Sequence, residues 1–217
     1  MKKFVFVLLA VVLLSFLTSL YLYPVLPDKF VSHWSTDFST GTFHANGFTS
    51  KFLGAFLLPL ISLIFIVLYF LLPVFDPLKS NYKKFESYYN GFFLVLFLFF
   101  YYIHLLSLLA NLGYSINFVY CLIPAIAILF YCCGILVENS KRNYFVGVRT
   151  PWALHSDVVW DKTNKRGGFL FKILSLICLI GLFLGNYAFI LLLIACFLFL
   201  AYILYYSYSE FKKLKNN

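Results

Sequence analysis

Eight carboxylates, four histidines and five cysteines are the groups with which this 217-residue chain could do acid–base, nucleophilic or metal chemistry. Their placement argues against all three. Asp28, Asp37, Asp76, Glu86, Glu138, Asp157, Asp161 and Glu210 lie outside the apolar runs, with no paired carboxylates of the kind general acid–base work uses. No H-E-x-x-H, G-x-S-x-G or phosphate-binding loop occurs. Cys121, Cys132, Cys133, Cys178 and Cys196 sit within apolar runs, without C-x-x-C spacing, and read as small hydrophobes. His33, Trp34, Asp37 and His44 share one polar segment. Two histidines and an aspartate are metal-ligand types, but their spacing matches no ligand pattern. They read better as ligand contacts or as packing of a lid. His104 is the one ionisable group well inside an apolar run, and reads first as a neutral, hydrogen-bonded residue. No enzyme, cofactor or metal is expected.

The elements that must position these residues are set by composition. The chain is 63% hydrophobic and only 12% charged, against about 25% charge in a soluble domain. Mean hydropathy is +0.90. Polar gaps between the apolar runs are too short to build a soluble core. An all-α integral membrane protein follows, a bundle of six transmembrane helices at Phe4–Tyr23, Phe52–Phe75, Phe92–Ala110, Ile116–Val137, Phe169–Leu184 and Ala188–Tyr206. The last two must be separate. One helix through both would be about 60 Å long at ~1.5 Å per residue, twice the hydrocarbon thickness. "GNY" at Gly185–Tyr187 offers the turn.

Basic residues give the orientation. With both termini cytoplasmic, Lys29 and Lys51 alone fall outside, and the rest of the 17 Lys and Arg residues fall inside. The formal net charge of +9 is then a mark of topology and of anionic inner-leaflet lipid. It does not call for direct contact with nucleic acid. Three segments result: residues 1–75, two helices around an outer loop at 24–51; residues 76–115, the third span and its flanks; and residues 116–217, three spans and a cytoplasmic loop at 138–168.

That last loop holds "NYFVGVRTPWALHSDVVW" from Asn143 to Trp160. Gly147 permits a bend, and Thr150-Pro151 can start a helical turn. Ser156 is a good N-cap, with Asp157 in the first turn. A short interfacial helix from Asp157 to about Arg166 is expected before the fifth span, with Trp152 and Trp160 at headgroup level. Gly167-Gly168 would hinge it to the span.

These residues carry a resemblance. Asn143, Gly147, Arg149, Thr150, Pro151, Trp152, Ser156, Trp160, Thr163, Arg166 and Gly168 resemble the C-terminal signature of the SdpI family of bacterial membrane proteins. Leu26, Pro27, Asp28, His33, Trp34, Gly47, Ser50 and Lys51 look like that family's N-terminal segment, although "STDFSTGTFHANGFT" is longer than usual and lacks its acidic-Gly step. The resemblance implies a cell-membrane immunity protein against a secreted killing peptide. It also implies a receptor that holds a cytoplasmic repressor at the membrane. Its partners would be membrane lipids, a toxin peptide and that repressor. A small transporter or lipid-handling protein is the alternative, with His104 as its intramembrane polar group.

Overall fold

A computed structural model describes residues 3–36, 43–184 and 187–216. Its elements in chain order are α1 (Val5–Leu22), β1 (Lys29–Thr36), β2 (Phe43–Ser50), α2 (Lys51–Phe75), α3 (Glu86–Asn111), α4 (Phe118–Asn139), α5 (Pro151–His155), α6 (Asp157–Ile180) and α7 (Ala188–Asn216). Six of these, α1, α2, α3, α4, α6 and α7, are long and apolar enough to cross a membrane. A helix satisfies its own backbone groups, which hydrocarbon cannot do. The expected turn falls on Gly185 and Asn186, which lie outside the described residues. On either side of them are a short 3-10 turn at Gly181–Phe183 and the start of α7.

The chain divides into two compact units: Met1–Leu68 with Leu94–Leu122, and Tyr69–Phe93 with Ile123–Asn217. In the first, the outer loop is more ordered than the sequence implied. Strands β1 and β2 pair antiparallel, from Lys29↔Ser50 to Thr36↔Phe43, with register shifts around His33. Phe30 is the anchor. It joins Leu26, Ala55, Phe56 and Leu108 in a buried cluster. Gly54 makes room for it, since a Cβ there would lie 2.1 Å from the Phe30 ring. Asn111 at the end of α3 grips the strand backbone. Its Oδ1 accepts from Val31 N–H at 2.7 Å and its Nδ2 donates to Val31 C=O at 3.1 Å.

In the second unit, α6 corrects the expected hinge. A short helix does precede the fifth span, but it is α5, capped by Thr150 Oγ1 accepting from Ala153 N–H at 3.0 Å. Asp157–Arg166 is instead the first part of α6, which runs unbroken through Gly167 and Gly168. The glycines serve packing. A Cβ on Gly168 would sit 2.6 Å from Gly134 C=O and 2.9 Å from Glu138 N; one on Gly134 would sit 2.7 Å from Gly168 C=O. Small residues let α4 and α6 approach backbone to backbone. Helical continuity therefore outweighs the flexibility that a Gly pair suggests in isolation. Beside this contact, Lys172 pairs with Glu138, so it has a carboxylate partner within the protein.

Candidate functional site

The polar segment before α6 folds back into the second unit and is held there chiefly by buried amides. Asn143 is fully buried. Its Oδ1 accepts from the backbone N–H groups of Phe145 (2.9 Å) and Val146 (2.6 Å), and its Nδ2 donates to the carbonyls of Lys141 (2.7 Å) and Val146 (2.8 Å). One side chain thus closes the turn from both directions, as an Asx turn does. Gly147 follows with φ +109°. A Cβ there would lie 2.5 Å from Asn164 Oδ1 and 3.1 Å from the Trp160 ring. Glycine is required here on conformation and on space alike.

The other side of the turn rests on the first two turns of α6. Asn164, also fully buried, accepts from Val148 N–H at 2.7 Å and donates to Trp160 C=O at 3.1 Å. The Trp160 indole donates to Ser140 C=O at 3.0 Å. This corrects the placement of Trp160 at headgroup level: the ring is wholly buried under the turn. Thr163 donates to Ser207 Oγ at 3.3 Å, and Thr150 also hydrogen-bonds Ser207, which draws α7 into the cluster. Trp152 packs edge-on against Tyr208 at 5.3 Å.

The segment after α2 closes the site from the other side, and no motif in it points to that role. Asp76 is buried, and its carboxylate accepts from Leu78 N–H (2.7 Å), Tyr144 N–H (2.8 Å) and the Tyr82 hydroxyl (3.3 Å). Burial, reinforced by this carboxylate, raises the pKa of Tyr82, so the phenol stays protonated and donates. Asn81 Nδ2 donates to Arg142 C=O at 2.8 Å, and Arg142 in turn pairs with Asp157 at 2.7 Å. Asp76, Asn81, Tyr82, Asn164 and Ser207 are the members that motif reading missed. For Asn164 a signal existed, because it lies four residues after Trp160 on the same helical face.

The structure brings Asn143, Gly147, Thr150, Trp160 and Thr163 together as the inside of a clasp. Arg149 is exposed at its rim, donating to Tyr144 C=O at 2.7 Å. Pro151 starts α5. Ser156 precedes α6 and accepts through its backbone carbonyl from Trp160 N–H at 2.9 Å, without a side-chain cap. Arg166 points elsewhere, over the Tyr206 ring at 5.2 Å.

The outer candidates lie in the first unit. His33 is exposed on β1, with Nδ1 3.0 Å from Ser32 Oγ. Trp34 packs against Phe118 with the rings tilted and their centroids 4.6 Å apart. Asp37 lies outside the described residues, and of His44 only the backbone is described, paired opposite Ser35. His104 is buried in the first unit, with Nε2 2.8 Å from Ser19 Oγ. Ser19 Oγ lies 2.6 Å from Ala55 C=O, to which its single proton can be donated. In that arrangement the hydroxyl accepts from Nε2–H, which makes His104 the donor in this bond. Among the described residues no three His, Cys, Asp or Glu side chains gather as a metal site would require.

Comparison with known proteins returns to the same two regions. Residues 139–207 match the SdpI/YfhL protein family. Residues 10–63 match a domain of unknown function (DUF1648). The immunity protein SdpI of Bacillus subtilis (strain 168) is 28% identical over 218 residues, covering the whole of both chains. No solved structure matches. The turn from Asn143, the start of α6 and α7 as far as Ser207 lie in the first matched segment, and the β-hairpin lies in the second.

Proposed function

We propose that the chain, whose residues 139–207 match the SdpI/YfhL protein family, is a multi-pass membrane immunity protein of that kind, protecting its cell against a secreted killing peptide. The observation that carries this reading is the end-to-end similarity to an immunity protein. A match limited to the C-terminal segment would speak for the scaffold alone. Here the similarity to one immunity protein runs through the segments that form the outer hairpin and the clasp.

In this reading both termini are cytoplasmic, as the strong bias of lysines and arginines favours. The hairpin then faces outward. His33 and Trp34, with Asp37 and His44, meet the peptide. The clasp faces inward, and its exposed rim, with Arg149, Tyr144 and Phe145, is the surface on which a cytoplasmic repressor would dock. The chain acts by binding and needs no catalytic group or cofactor.

The test is survival. A peptide-sensitive bacterium expressing the chain should withstand concentrations of the cognate peptide that kill cells carrying the empty vector. Unchanged killing, with the protein detected in the membrane fraction, would overturn the proposal. Repressor docking is tested separately, by whether a fluorescent candidate repressor moves to the membrane on peptide addition.

A further inference from the structure

One feature of the second unit belongs to neither the clasp nor the hairpin. Lys162, Lys165, Arg166 and Phe169 of α6, with Tyr206 of α7, line an open groove of about 360 Å³. The α6 residues are spaced i, i+3, i+4 and i+7, which puts them on one face of the helix. Among the described residues no carboxylate lines the groove. Lys162 is held at 2.7 Å by Glu210, a carboxylate shared with Lys213 at 2.6 Å. Lys165 and Arg166 are exposed. Arg166 lies with its guanidinium over the Tyr206 ring. Stacking uses the face of that group and leaves its N–H edge available to an anion.

The groove also has two ends of different character. Its cations occupy the polar start of α6, and Phe169, 53% exposed, opens the apolar run that follows. A free phosphate would use only the cationic end. A phosphate carrying acyl chains would use both, with its charge on Lys165 and Arg166 and its hydrocarbon along Phe169 and the helix beyond. We propose that this groove is a binding site for an anionic glycerophospholipid, which seats α6 and α7 at the membrane boundary. The proposal rests on the spanning helices and is independent of the immunity reading.

Native mass spectrometry of the full-length protein, released from detergent with added phosphatidylglycerol or phosphatidylcholine, tests it. The protein should retain phosphatidylglycerol in preference to phosphatidylcholine. Lys165→Gln with Arg166→Gln should lower that retention about tenfold. Lys83→Gln with Lys212→Gln removes equal charge elsewhere and should leave it within about twofold. Millimolar glycerol 3-phosphate should fail to displace the lipid. Equal retention of the two lipids by the unaltered protein would overturn the proposal. So would undiminished retention in the Lys165/Arg166 variant, or displacement by the headgroup alone.

Discussion

Of the polar segments that interrupt the apolar helices, the hairpin and the clasp are built on opposite plans. The clasp before α6 turns its polar groups inward. Asn143 and Asn164 are fully buried, and each bonds the backbone of the turn through both its oxygen and its nitrogen. The hairpin Lys29–Ser50 is anchored at its base by Phe30 and Asn111, while His33 further along is exposed. A segment whose polar side chains are consumed by its own backbone has a defined shape and few groups left for a ligand. One anchored by Phe30, by Asn111 and by Trp34 against Phe118 still leaves a side chain such as His33 exposed. The difference suggests a division of labour, with the clasp holding a shape and the hairpin meeting a partner.

Substitutions can break or sharpen that contrast. The largest effect is expected from Gly168→Val, because its Cβ would meet backbone atoms of α4 that cannot move aside. A loss of about 3 kcal/mol or more is expected, read as a lower melting temperature in detergent and less protein in the membrane. Asn143→Ala comes next. It orphans the N–H groups of Phe145 and Val146 inside the protein, at a cost of about 2–3 kcal/mol. If it melts like the unaltered protein, the clasp is not the over-determined element described above.

Arg149→Ala removes an exposed bond to Tyr144 C=O and should cost about 1 kcal/mol. Together with Trp152→Ala, it should impair protection more than Lys213→Ala does. Equal loss of protection from all three would reduce the segment to a charged membrane anchor. The smallest effect on stability belongs to His33→Ala, within about 0.5 kcal/mol. Its protection against the peptide should nevertheless fall. Unchanged protection there would remove the hairpin from the proposed ligand site.

The spans were legible because hydropathy over some 20 residues is a local signal. The hairpin was not, since the segment between its strands has no Asn-Gly or Asp-Gly turn, and "STDFSTGTFH" reads as loop. The Gly pair was read by its flexibility, whereas its function depends on Gly134, which lies on another helix. Motif residues located the clasp, and Thr150 was rightly read as the start of a helical turn. Its other half was hidden by distance. Tyr144 and Asp76 meet across 68 positions, and Tyr82 and Asn143 across 61. No spacing rule reaches that far, and a lone aspartate after an apolar run is ordinary until its three donors are seen.

Survival under peptide challenge tests the central claim most directly. Cells of a sensitive strain carrying the chain, or an empty vector, would be exposed to a dilution series of the killing peptide, with membrane levels of the protein measured in parallel. The account predicts that the lethal concentration rises at least about tenfold with the protein present, a change that would match a roughly tenfold loss of effective peptide at its target. Superimposed killing curves at normal membrane abundance would contradict it.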